Sequence, residues 1–225
     1  MRTTALNRSE FEHAIRYFNQ QTMDSDESWM MTTNSMLNHS YLERTIRYVS
    51  SQPRPLNSLD LGDLTEEEHD DPATLIQYDQ STLPSITVNH HIVYSPSYQV
   101  PVLYFDAFFT DGTRLGLDEI YTHLVPPIYL QDLKHSPVQA QGSITQADHP
   151  LLGRPFWYIH PCDTQTLLQT ILFGAQTTSF GQQHQDTFLH DYIKVWLAIL
   201  GPIVHCPVSP ALFSSIHYTP STCLE

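Results

Sequence analysis

The run VPVLYFDAFF, residues 100–109, is apolar or aromatic at nine of its ten positions. An extended chain turns alternate side chains to opposite faces, so a run apolar on both belongs in the middle of a sheet covered on at least one side. ITVNHHIVYSPSY, residues 86–98, is equally β-prone and leads into it through a Ser/Pro turn, which makes the pair a hairpin. Trp29–Thr33 and Tyr41–Val49 read as a second hairpin around the polar turn 34–40, and FWYI, residues 156–159, as a further strand. Helical spacing appears elsewhere. Ser9 and Glu12 have the spacing of a capping box, followed by one apolar face of Phe11, Ala14, Ile15 and Phe18. Leu117, Ile120, Tyr121 and Leu124 suggest a short helix that Pro126-Pro127 ends. Leu167, Leu168, Ile171 and Leu172 mark another. Phe188, Tyr192, Trp196 and Leu200, beside Leu189, Ile193 and Leu197, mark the last, which Gly201-Pro202 terminates. Helix, four or five strands, then helices is the order of an α+β fold with an antiparallel sheet and helices packed on one face.

Two stretches lack periodicity: 131–155, and about 53–84, where residues 60–71 (DLGDLTEEEHDD) hold seven carboxylates and no basic residue. The second reads as a mobile acidic loop. At 225 residues and 40% hydrophobic, the chain has material for one core, and a single domain over 1–225 is expected. Ten basic against 24 acidic residues, a net charge of −14, oppose binding to nucleic acid or anionic lipid. No apolar run has transmembrane length, and three widely spaced cysteines suit a reducing, cytoplasmic setting better than a disulfide framework.

Chemistry concentrates in PFWYIHPCDT, residues 155–164. Cys162 follows a strand and precedes a helix, near the positive end of that helix's dipole and at the rim of the sheet, where a nucleophile can be reached. The same spacing also suits a small buried hydrophobe, the commonest fate of a reduced cysteine. His160 shares a face with Cys162 on an extended chain, and orients it or merely packs beside it. A zinc site completed by His205-Cys206 is disfavoured, because those adjacent residues point to opposite sides. Cys206 and Cys223 read as structural.

Three blocks then carry a resemblance: HIVYSPSYQVPVLYFDAFFTDG (91–112), SITQADHPLLGRPFWYIHPCDT (143–164) and DYIKVWLAILGPIV (191–204). Through them the chain resembles the ubiquitin-conjugating-enzyme-like proteins of autophagy. The resemblance implies a conjugating-enzyme-like core and a transferase whose Cys162 accepts a ubiquitin-like protein as a thioester, with His160 and Pro161 supporting it. The implied partners are autophagy-related protein twelve as cargo, the activating enzyme protein seven as its source, and a lysine of protein five as its acceptor. No metal or small-molecule cofactor is implied, since ATP is spent on the activating enzyme.

The wider ubiquitin-conjugating family places an HPN motif several residues before its cysteine, and the Asn supports the oxyanion. Here the cysteine stands where that Asn would be, so support has to come from backbone N–H groups after Cys162 or from a facing loop, for which Ser143, Thr145 and Gln146 are candidates. Tyr94 and Tyr98, flanking the Ser/Pro turn, are candidates for contact with the acceptor protein, with cross-strand packing as the plainer alternative. Two rival functions remain: a cysteine hydrolase using a distant His123 or His149 as base, and a non-catalytic adaptor of the same pathway with an inert cysteine.

Overall fold

The computed structural model describes residues 4–23, 28–54, 83–130, 144–162, 164–173 and 183–213. The acidic stretch 60–71, and all but the ends of the expected loop around it, lie outside the described residues. Helix α1 (Arg8–Thr22) is followed by strands β1 (Met30–Asn34), β2 (His39–Val49), β3 (Ser85–Ser95) and β4 (Val100–Phe109). Helix α2 (Leu117–His123), strands β5 (Ile144–Asp148) and β6 (Pro155–Ile159), and helices α3 (Thr164–Phe173) and α4 (Gln183–Leu200) complete the order, before short 3₁₀ turns at Gly201–Val204 and Pro210–Phe213. The strands form one antiparallel sheet in the order β1-β2-β3-β4-β6-β5. There are thus six strands among the described residues. Strand β5 falls inside the stretch expected to be irregular, because ITQAD is short and has a single large apolar side chain, the composition of an exposed edge strand.

The long apolar run does occupy the centre of the sheet. Residues Ile86, Val88 and Ile92 of β3 stand on one face beside Leu103, Phe105 and Ala107 of β4. They share a buried cluster with Phe11, Ile15 and Phe18 of α1 and Tyr192, Ile193 and Trp196 of α4. Helix α1 carries the expected apolar face but starts two residues earlier than Ser9 implied. Asn7 is its N-cap: its side chain accepts from the Glu10 amide at 2.9 Å, while Glu10 accepts from the Asn7 amide at 2.8 Å. In α3, Leu168 is fully buried whereas Ile171 is 53% exposed, so the burying face is narrower than the leucine spacing suggested.

The opposite face of the sheet is built differently. His91, Tyr104, Asp106 and Phe156 lie there, with Asp106 paired to Arg114 and to Arg154 at 3.9 Å. The β5–β6 connection crosses this face and reaches the first strand, where Asn34 donates from its side chain to the Leu151 carbonyl at 2.8 Å.

The end of α4 has no room for a side chain. A Cβ at Gly201 would lie 2.0 Å from the Cys206 carbonyl oxygen, and the Cys206 amide donates to the Gly201 carbonyl at 2.8 Å. Cys206 is fully buried, in keeping with a structural role.

Candidate active site

Strand β6 ends at Ile159 because Pro161 offers no amide to the ladder, and α3 begins at Thr164. Cys162 stands between them and is exposed. The corner is tight, with the Thr164 amide donating to the Pro161 carbonyl at 3.1 Å.

His160 is bound on both sides of its ring. Its Nδ1 accepts the Cys162 backbone N–H at 3.3 Å, and its Nε2 lies 3.2 Å from the Tyr98 hydroxyl. An Nδ1 that accepts carries no hydrogen, so the neutral ring has its hydrogen on Nε2 and donates it to the Tyr98 oxygen. The Tyr98 hydroxyl hydrogen is then left to point elsewhere. Tyr98 is 40% exposed, its ring edge-on to the imidazole at 5.4 Å.

The turn that carries Tyr98 is fixed from two more directions. Gln165, in the first turn of α3, donates from Nε2 to the Tyr98 carbonyl at 2.6 Å, and Thr4 donates to the Gln165 carbonyl at 2.9 Å. On the other side of the turn, the Leu6 amide donates to the Gln99 carbonyl at 2.7 Å. The β3–β4 turn and the cysteine corner thus form one hydrogen-bonded unit, tied together by the chain just before α1. Neither Gln165 nor Thr4 was apparent in the sequence. The signal, a Gln three residues after the cysteine, acquires meaning only once the turn is seen to dock there.

The other candidates separate. Tyr94 is 6% exposed, donates its hydroxyl to the Leu6 carbonyl at 2.7 Å and lies under the Arg8 guanidinium, so it packs in the core and offers no face to a partner. Thr145 and Gln146 belong to strand β5, not to a loop, and Ser143 lies outside the described residues. In register, Thr145 opposes Tyr158 and Gln146 opposes Trp157. Thr145 therefore shares the sheet face of Tyr158 and His160, and its hydroxyl is buried with no hydrogen-bond partner among the described residues. Gln146 is on the other face, away from His160.

Neither distant histidine serves the thiol. His123 Nδ1 is 2.8 Å from the Ser50 hydroxyl in a buried pair, and burial lowers its pKa. His149 is fully buried, its Nδ1 accepting the Leu151 and Leu152 amides at 3.2 Å and its Nε2 lying 3.1 Å from His91 Nδ1. Burial, with lesser contributions from His91 and Arg154, lowers the His149 pKa to about 3. His149 is thus hydrogen-bonded through both ring nitrogens, and His123 is held by Ser50 with its Nε2 buried, so neither ring is placed as the base of a cysteine hydrolase.

Among the described residues, no helix is long and apolar enough to cross a membrane. The chain is similar to proteins named ubiquitin-like-conjugating enzyme ATG10. It is 39% identical to the one from Homo sapiens over 58% of this chain and 54% of that one. It is 36% identical to the Dictyostelium discoideum protein over 52% and 50%, and 37% identical to the Arabidopsis thaliana protein over 51% and 47%. The chain spans about half the length of the curated relatives it matches. A solved structure described as the autophagic E2 Atg10 covers 88% of this chain and 94% of its own at 14% identity and a TM-score of 0.38, a likeness too slight to argue from. The family model described as autophagocytosis associated protein, active-site domain, matches residues 10–210 and so takes in the sheet, the cysteine corner and the turn docked on it: the chain belongs to that family.

Proposed function

We propose that this chain is a transferase of autophagy that carries a ubiquitin-like protein as a thioester on Cys162. The observation that carries the reading is the exposed Cys162 on a corner whose backbone is held by His160 and Tyr98. In loading, the Cys162 sulfur attacks the thioester carbonyl presented by the activating enzyme, and that enzyme's thiol leaves. In discharge, the amine of an acceptor lysine attacks the Cys162 thioester, the C–S bond breaks, and the Cys162 thiolate departs as an isopeptide forms. The partners implied by the family resemblance are autophagy-related protein twelve as cargo, protein seven as activating enzyme and protein five as acceptor, all meeting in the cytoplasm.

Discharge passes through an oxyanion that needs a donor. Tyr98 supplies one candidate, since its oxygen accepts from His160 and its own hydrogen is left for another partner. The buried hydroxyl of Thr145, on the same sheet face and without a hydrogen-bond partner among the described residues, is a second candidate, and Ser143 of the same segment lies outside the described residues.

The test is incubation with activating enzyme, ATP and the ubiquitin-like protein. The wild-type chain gives an adduct cleaved by thiol reagents, Cys162→Ser gives one that resists them, and Cys162→Ala gives none. An adduct that persists in the Ala variant overturns the assignment. A binding adaptor forms none in any variant.

A further inference from the structure

Of the chain's ten basic residues only two, Lys134 and Lys194, are lysines, and the other eight are arginines. Lysine is ordinarily one of the commonest residues in soluble proteins, and either cation serves solubility, so charge alone does not account for the imbalance. The two side chains differ in reactivity. A lysine amine sheds its proton often enough to act as a nucleophile, whereas a guanidinium stays protonated.

The described lysine is also withdrawn from use. Lys194 is 1% exposed within α4, and its Nζ lies 2.6 Å from the Asp191 carboxylate. An amine buried and held in this way cannot approach a group on the surface. Two of the described arginines have fixed tasks: Arg8 covers the Tyr94 ring, and Arg114, at the end of β6 remote from Cys162, pairs with Asp106 and donates to the Pro155 carbonyl. The second cysteine in the described residues, Cys206, is buried and cannot take the cargo by thiol exchange.

Resting on the reading of Cys162 as a thioester carrier, we infer that the chain is built to be a poor acceptor of its own cargo. Self-conjugation requires a surface amine to add to the thioester carbonyl, expel the Cys162 thiolate and lose its extra proton to water, leaving an isopeptide on the carrier. The described surface presents no lysine for that step. The loaded thioester is thereby kept for a lysine on a second protein, and a carrier with an exposed Cys162 needs no separate shield against itself.

The experiment charges the full native chain and its Lys134→Arg variant with activating enzyme, ATP and ubiquitin-like protein, with no acceptor present. Products are resolved with and without reductant, and reductant-resistant adducts are mapped by mass spectrometry. Isopeptide at Lys194 is expected to be absent. Thr166 is exposed in the first turn of α3, four residues beyond Cys162, and Ser97 is exposed in the turn docked on the corner. Thr166→Lys, or Ser97→Lys should the first variant misfold, is expected to raise reductant-resistant self-adduct by about tenfold or more, because a tethered amine reacts as an intramolecular one. Thr166→Arg, with the same charge and no nucleophile, should leave it unchanged. Efficient isopeptide formation at Lys134 or Lys194 of the native chain, or normally charged Lys variants with no gain in self-adduct, overturns the inference. Failure of every variant to form even a reducible adduct overturns the thioester reading itself, and the inference with it.

Discussion

Strand β6 lies between two His-Pro corners with the same local design and opposite surroundings. At His149-Pro150-Leu151 the imidazole Nδ1 accepts the amide two residues on, and at His160-Pro161-Cys162 it does so again, at 3.2 and 3.3 Å. Each Nε2 then reaches across the sheet, to His91 in one corner and to Tyr98 in the other. The first ring is fully buried, packed among Tyr41, His91, Tyr104 and Phe156, and serves to pin the connection that crosses the sheet. The second is half-buried, and the residue whose amide it holds is an exposed cysteine. The motif is therefore a device for turning a chain sharply at a strand end. Whether it becomes a strut or a site depends on what covers it.

Exchanging the two corners' roles is the most direct way to break the comparison. Cys162→Ala should abolish charging outright, whereas Leu151→Ala, its counterpart in the other corner, should leave charging intact; loss of charging in both would mean that the corners are one cooperative unit. His149→Ala removes a buried ring and leaves the Leu151 amide and the His91 nitrogen without their partner, which should cost about 2–4 kcal/mol, read as a Tm lower by roughly 6–12 °C. His160→Ala, at a half-exposed ring, should shift Tm by less than about 2 °C. Equal losses in the two variants would show the exposed ring to be a strut as well.

Tyr98→Phe removes the hydroxyl while keeping the ring. It is expected to slow discharge to the acceptor on the order of a hundredfold, with loading from the activating enzyme changed far less. Single-turnover measurement of each step decides, and equal slowing of both would reduce Tyr98 to a support for the turn.

The buried corner should also make stability depend on pH. Burial lowers the pKa of His149 to about 3 and, with Glu43 opposing, that of His91 to about 4. Both lie below the unfolded value of about 6.5, so the unfolded chain binds protons that the folded chain refuses. The contribution is full above about pH 6.5 and is lost as pH falls toward 3. Tm should drop across that window, and His149→Ala should flatten the drop. The smallest effect is expected at Thr145→Val, within about 0.5 kcal/mol of wild type, since the hydroxyl it deletes makes no described hydrogen bond. A large fall in discharge rate with unchanged Tm would instead make Thr145 the oxyanion donor.

Strands β3 and β4 were legible in the sequence because a run apolar on both faces has few places to go. The place of Cys162, exposed between a strand and a helix, was legible too, since HPC follows a strand and precedes a helical spacing. What surrounds the thiol was not, because its parts lie 62 and 67 residues apart in sequence and meet only when the β3–β4 turn docks on the cysteine corner. YSPSY offers two tyrosines with equal claims. Pairing sends Tyr94 to the helix-covered face, where it opposes Pro101, and the turn carries Tyr98 to His160. The α1 start was misplaced for a local reason: Asn7/Glu10 and Ser9/Glu12 are equally good box spacings, and only packing chooses between them. Strand β5 was missed because an edge strand needs little apolar content, and its partner supplies most of the evidence for it.

The hairpin of β5 and β6 is held to the rest of the sheet by only two register pairs, Tyr104↔Tyr158 and Phe105↔Trp157, against five within the hairpin itself. Mechanically, the strand that delivers Cys162 is a cantilever: stiff along its own length, clamped at a short root, and braced at its tip by the Tyr98 turn. A load applied at the tip, such as the proposed thioester-linked protein would impose, is resisted at the brace and the root rather than spread through a continuous ladder. The amides of β6 outside those two pairs should accordingly open to hydrogen exchange before those of β3 and β4, and loosening the brace should open them sooner.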